Sequence, residues 1–299
     1  MTLYTLLGKI EDDSVKELSW FLDFAEEYLD FTKFGETVTP NIQADIVSQN
    51  ESNYHFIQYK DDGKHCVTRP INSDLFIGAN NFSKARKIFE DSLSYIRDIK
   101  NDPETRKIVN SVIYTCQQSI GCTLDALNNS NKAKKKNGNY FEFLIRNTVK
   151  ACGINIDDKD EIVNLPDTNE SMKFEHDIIL LSSKLEEKAI GQLKTSSKDR
   201  IDKIFLDKYM YNKLKKIEIP HFAIFLNDVQ RKENKNKANY GINSTFLPGH
   251  FKAYTIALNP LDGVYYLDMR PSMETDSFLK SHIKTFDNFL VEDMWKFMK

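Results

Sequence analysis

Between residues 175 and 195 the chain carries two apolar runs, 178–181 and 189–193, joined by the polar stretch 182–188. Short apolar runs bounded by turn residues predict strands, here a β-hairpin folding about Lys184 and Leu185. Elsewhere the period is helical. Val15, Leu18, Phe21, Leu22, Phe24, Ala25, Tyr28 and Leu29 predict a helix over 14–33, with Ser14 as its cap. Two long helices are predicted over 82–99 and 104–128, after short strand-like pieces at 54–59 and 75–78. The polar, basic stretch 128–139 reads as a linker, followed by a helix from Tyr140 to Cys152 that Asn139 caps and Gly153 ends. Beyond the hairpin the pattern predicts a helix over 198–216, a strand over 221–226 and a long polar loop over 229–250. A second hairpin (254–258 with 264–268) and a last helix over 277–289 complete it. The fold class is α/β, a mixed central β-sheet flanked by helices, with a mostly helical N-terminal region over 1–130 and a second region over 131–299.

The hairpin places chemistry as well as structure. Side chains alternate along a strand, so Gln192 and Lys194 share a face. With the turn at 184–185, Asp177 stands opposite Gln192 on that same face. A slip of one residue would scatter the three groups, and the apolar alternation opposes such a slip. A carboxylate, an amide oxygen and an ammonium at one strand rim suit metal-assisted hydrolysis of a phosphodiester. Asp177 would anchor Mg²⁺, with Gln192 and the Leu193 carbonyl as further oxygen ligands and Lys194 facing the developing negative charge.

Composition narrows the setting. With 41 Lys+Arg against 44 Asp+Glu among 299 residues the net charge is −3, but the charges are unevenly spread. Acidic residues crowd the first sixty positions, and lysines and arginines gather at 132–136, 194–216 and 231–237. A local basic groove is enough for a nucleic-acid surface. No apolar run approaches the ~20 residues of a membrane helix, and no secretory signal is visible, so a cytoplasmic protein is expected. Cys66, Cys116, Cys122 and Cys152 lack zinc or disulfide spacing and read as buried free thiols.

Asp177 followed by Gln192-Leu193-Lys194, then Thr195-Ser196-Ser197-Lys198-Asp199-Arg200, resembles the catalytic stretch of a type II restriction endonuclease of the PD-(D/E)XK nuclease superfamily. The match is to a D…QxK variant, with His176 in place of the proline and Gln192 in place of the middle acid. Upstream, Gly138-Asn139-Tyr140-Phe141-Glu142 resembles the helix that brings a further acid, here Glu142, although an ion pair with Arg146 explains that residue equally well. The resemblance spans about residues 137–226.

What it implies is a Mg²⁺-dependent, sequence-specific hydrolase of double-stranded DNA, working as a homodimer on palindromes. Thr195, Ser196, Ser197, Lys198 and Arg200 would then meet phosphates. The loop carrying Arg231, Lys232, Asn234, Lys235, Asn236 and Lys237 would reach base edges. His221 and His250 read as structural. Three other readings stay open: a modification-dependent or repair nuclease of the same fold, a catalytically inactive DNA-binding module, and a helical scaffold in which the hairpin match is chance.

Overall fold

The computed structural model describes residues 1–12, 14, 16–36, 44–48, 53–61, 64–232 and 240–299. They form two compact units. Residues 1–93, 102–147 and 229–244 make the first, and residues 94–101, 148–228 and 245–299 the second.

The first unit opens with α1 (Leu3–Glu11) and α2 (Leu18–Thr32). A small antiparallel sheet follows, in which β1 (Ala44–Ser48), β3 (Lys64–Val67) and β4 (Ile71–Asn72) all pair with β2 (Tyr54–Asp61). Next come α3 (Ala79–Ser92), α4 (Pro103–Leu124) and α5 (Ser130–Ala151), the last running across the division between units. Every residue of α4 from Val109 to Leu124 is buried. The mostly helical character expected of this region is present, but 75–78 is not a strand; the strand lies at Ile71–Asn72. The expected linker is a second correction. From Ser130 onward it is the first half of α5, whose inner stripe uses polar residues. Lys136 and Asn137 are buried between Ala133 and Tyr140. The Lys136 Nζ donates to the Glu11 carbonyl (3.1 Å), and Asn137 accepts from Gln117 Nε2 (3.0 Å).

The second unit is built on a six-stranded mixed sheet. In chain order its early strands are β5 (Asn155–Asp157), the separate antiparallel ribbon of β6 (Asp160–Asn164) and β7 (Ser171–Glu175), then β8 (Ile178–Leu181) and β9 (Glu187–Lys194). Helix α6 (Ile201–Lys215) carries the chain over to β10 (His221–Phe225). The chain then enters the first unit as the hairpin of β11 (Val229–Lys232) and β12 (Gly241–Ser244), and returns as α7 (Pro248–Ala257), β13 (Gly263–Tyr266), α8 (Pro271–Thr275), α9 (Ser277–His282) and β14 (Ile283–Thr285). The spatial order is β14-β13-β10-β9-β8-β5, with β9, β10, β13 and β14 parallel and β8 antiparallel to both its neighbours.

This confirms the mixed sheet and the first hairpin, and corrects the end of the chain. Within the stretch expected as one loop, Val229–Lys232 and Gly241–Ser244 pair as strands and Pro248 begins a helix. Residues 254–258 lie largely in α7, so β13 has no hairpin partner there and pairs in parallel with β10. The helix expected over 277–289 stops at His282, where β14 begins, and helical turns resume from Phe286 to Phe297.

One face of the sheet packs Ala223, Phe225, Val264 and Tyr266 against Ile201, Ile204 and Phe205 of α6 and Phe251 of α7. The other places Phe222 against Phe289, ring centroids 4.9 Å apart. At the middle of β9 the packing leaves no room for a side chain: a Cβ on Gly191 would lie 2.4 Å from the Phe222 ring and 2.6 Å from Ile178 Cγ2. Among the described residues no helix is long and apolar enough to cross a membrane. Cys116, Cys122 and Cys152 are buried free thiols and Cys66 is half-buried.

Candidate active site

The β8–β9 ladder pairs Ile178 with Gly191, Ile179 with Ile190 and Leu180 with Ala189. Continued one step it sets Asp177 against Gln192, the register expected from the alternation. A bulge after Leu180 absorbs the odd residue of the turn, where Leu185 adopts a left-handed φ of 63°. Asp177 thus enters β8 at the end where β9 terminates in Lys194. That end is also the carboxyl rim of the parallel strands, the edge at which open α/β sheets bind ligands.

Two donors converge on one oxygen of Asp177. The Leu193 backbone N–H donates to Oδ2 (2.7 Å), and the Lys194 Nζ donates to the same atom in a close ion pair. The pair is largely shielded, the side chains being 12% and 27% exposed. Leu193 points its N–H toward Asp177, and in a strand the N–H and C=O of one residue point the same way. Its carbonyl therefore also faces the Asp177 side. Gln192 donates its Nε2 to the Glu175 carbonyl (2.8 Å), which fixes the amide.

A fourth group joins them that sequence reading missed. Asp207, on α6, lines a small cavity together with Glu175, His176, Gln192 and His221. Burial raises its carboxyl above the ordinary value, against the pull of Lys203 and Lys194, and the charges of Glu175 and Asp177 add to the rise. Its signal was present in the chain. Asp207 stands three residues after Ile204 and four before Tyr211, an acid set into the inner stripe of a helix. His176 and His221 line that cavity as well. Both are buried, and the Nε2 of each has no hydrogen-bond partner. Burial pushes His176 down, and burial with nearby Lys208 pushes His221 down to about 3.

The remaining expected residues divide. Ser197 is buried and gives its hydroxyl to Asp228 (2.5 Å), so it supports the loop instead of facing solvent. Ser196 is half-buried and also donates to Asp228 (2.9 Å). Neither caps α6, whose N-cap position is Arg200 and carries no side-chain capping hydrogen bond. Thr195 is half-buried, while Lys198 and Arg200 are exposed. Glu142 belongs to the first unit, where Arg146 of the same helix donates to it across one turn (3.3 Å). Arg231 and Lys232 lie exposed on β11, and Arg231 stacks over Tyr240 at 5.9 Å. Asn234, Lys235, Asn236 and Lys237 fall outside the described residues.

Among the described residues no three His, Cys, Asp or Glu side chains gather closely enough to hold a metal by themselves. A cation here would draw on Asp177, the Gln192 amide oxygen, the Leu193 carbonyl and Asp207. All four are hard oxygen donors with only two negative charges, which fits Mg²⁺, an ion that keeps several waters.

No protein-family profile matches this sequence, and no curated protein does. Among solved structures, the chain is similar to the type IIP restriction endonuclease Kpn2I, with 20% identity and a TM-score of 0.69 over 94% of this chain and 91% of that one. The restriction endonuclease PspGI, in a substrate DNA complex, aligns at 13% identity and a TM-score of 0.41, over 72% of this chain and 92% of that one. The chain has the fold of a type II restriction endonuclease.

Proposed function

We propose that the chain is a type II restriction endonuclease, a Mg²⁺-dependent enzyme that hydrolyses double-stranded DNA at a specific sequence, acts as a homodimer and works in the cytoplasm. The observation that carries this reading is the Asp177–Lys194 ion pair at the carboxyl rim of the sheet, with Gln192 beside it and Asp207 sharing a small cavity with Gln192. The fold likeness supports it as a scaffold; the chemistry is argued from the site.

Mg²⁺ bound at Asp177, Gln192, Leu193 and Asp207 would supply a Lewis acid that offsets the charge of the phosphate. The chain's own groups do the rest. Asp177 holds Lys194 at a fixed place, so the ammonium can orient a water or meet the negative charge that builds on phosphorus. Asp207 supplies the second carboxylate that Gln192 does not, and Glu175 fixes the Gln192 amide through its carbonyl. Lys198 and Arg200, exposed just beyond Lys194, neutralise backbone phosphates, and the basic hairpin stem with Arg231 and Lys232 adds DNA contacts.

The test is to incubate the purified protein with unmodified plasmid, with Mg²⁺ and with a chelator. Discrete fragments that require Mg²⁺ are the expected result. A plasmid left intact by a protein that still binds DNA would overturn the enzyme reading in favour of an inactive binding module, and cutting confined to methylated plasmid would favour a modification-dependent enzyme.

A further inference from the structure

We infer that Asp228 is a positioning residue for DNA: its buried carboxylate fixes the shape of the loop 195–200, through which the site grips its substrate. The inference rests on the nuclease reading above. Asp228 follows β10 at the carboxyl rim and is completely buried. Five donors converge on it, all neutral. Oδ1 accepts from Ser196 Oγ (2.9 Å), the Ser197 backbone N–H (2.8 Å) and Thr245 Oγ1 (3.1 Å); Oδ2 accepts from Ser197 Oγ (2.5 Å) and the Tyr266 hydroxyl (2.7 Å). A carboxylate buried without such donors is strongly disfavoured, and a full set of them makes a rigid, directional joint.

Three of the five donors come from two consecutive loop residues, and Tyr266 ends the neighbouring strand β13. The carboxylate therefore ties the loop to the rim of the sheet. The order passes outward along the loop. Ser196 Oγ accepts from the Lys198 N–H (3.1 Å), and the Ser197 carbonyl accepts from the Arg200 N–H (3.0 Å) and the Ile201 N–H (3.1 Å). Between them Asp199 is held at a φ of 55°, a left-handed conformation that persists in a non-glycine residue only where its surroundings impose it. The outcome is a short arch with Lys198, Asp199 and Arg200 exposed, beginning one residue after Lys194. An arch of fixed shape presents two cations and a carboxylate to DNA without losing loop entropy on binding.

The experiment uses a duplex carrying one mapped cleavage site. In Asp228→Asn one accepting oxygen becomes a donor, so two of the hydroxyls lose their acceptor. With Asp228→Asn, KM and the duplex Kd should rise about tenfold, as expected when hydrogen bonds to a charged group are lost. kcat should stay within about threefold, and the dependence of log Kd on log salt should flatten by about one phosphate contact. A purely structural role would move none of these in a variant that folds. Unchanged KM, Kd and salt slope would overturn the inference, and so would a fall in kcat alone. If Asp228→Asn does not fold, Tyr266→Phe and Thr245→Val carry the same readouts, and unchanged values in both overturn it. A wild-type protein that neither binds nor cuts DNA would instead refute the nuclease reading on which this rests.

Discussion

Lys194 occupies the position at which charge, shielding and geometry meet. Its ammonium is about a quarter exposed and paired to Asp177, which also takes the Leu193 N–H. In the proposed reaction, replacing it with alanine would remove the cation set against the negative charge that builds on phosphorus. Lys194→Ala should therefore lower kcat by about 100-fold or more while leaving duplex binding within a few-fold, since removing one preorganised electrostatic group typically costs that much. Single-turnover cleavage beside a gel-shift titration checks it. Asp207 makes a different prediction. Its folded-state pKa is raised, so its contribution to stability is present below its unfolded value and is lost as pH rises through the folded value. Near neutral pH the carboxylate is therefore a burden on the fold, and Asp207→Asn should raise the melting temperature while weakening Mg²⁺-dependent cleavage. Melting curves with and without Mg²⁺ separate the two effects. Asp177, Gln192 and Lys194 were readable from the chain because a strand's period of two fixes which face each residue takes. Asp207 shows in the chain only as an acid on the inner stripe of a helix, and that pattern does not say which strand end it meets, because this depends on how α6 packs over the sheet.

At the scale of elements, the first hairpin was readable and its neighbours less so. Its strands carry apolar alternation that only one register satisfies, and Gly191 reinforces that register by letting Ile178 and Phe222 close over β9. Gly191→Ala should destabilise the protein by about 1–3 kcal/mol, the usual cost of overpacking a core, read from the midpoint of chemical denaturation. A neutral result would mean that β9 is not held between those two side chains. Helix α5 was obscured by its own inner stripe, because Lys136 and Asn137 are polar yet buried through specific partners in the first unit. Helix α7 was obscured by propensity. Tyr254-Thr255-Ile256-Ala257-Leu258 alternates like a strand, but Pro248 starts a helix, Phe251 packs on Phe205 at 5.9 Å, and the Thr255 hydroxyl donates back to the Phe251 carbonyl. Tertiary packing overrode local preference there.

At the scale of the whole molecule, acid should loosen the protein through its buried histidines. His176 and His221 are held below their ordinary values, so the unfolded chain binds protons that the folded chain refuses. Stability is thus complete above the ordinary histidine value and is lost as pH falls from about 6.5 toward the folded value of about 3 for His221. Melting temperatures between pH 7 and 4 should fall, and less steeply in His221→Phe; an equal slope in both would assign the acid loss to other groups. The functional account depends on a claim about the carboxyl rim of the sheet, that a divalent cation binds among Asp177, Gln192, Leu193 and Asp207. The most direct measurement is a crystal structure of the protein with duplex DNA and Mn²⁺ in place of Mg²⁺, using the anomalous signal of the metal. The account requires an anomalous peak within coordinating distance of the Asp177 carboxylate and the scissile phosphate, and its loss in Asp177→Asn. DNA bound at the rim with no metal there, or metal bound only elsewhere, would contradict it.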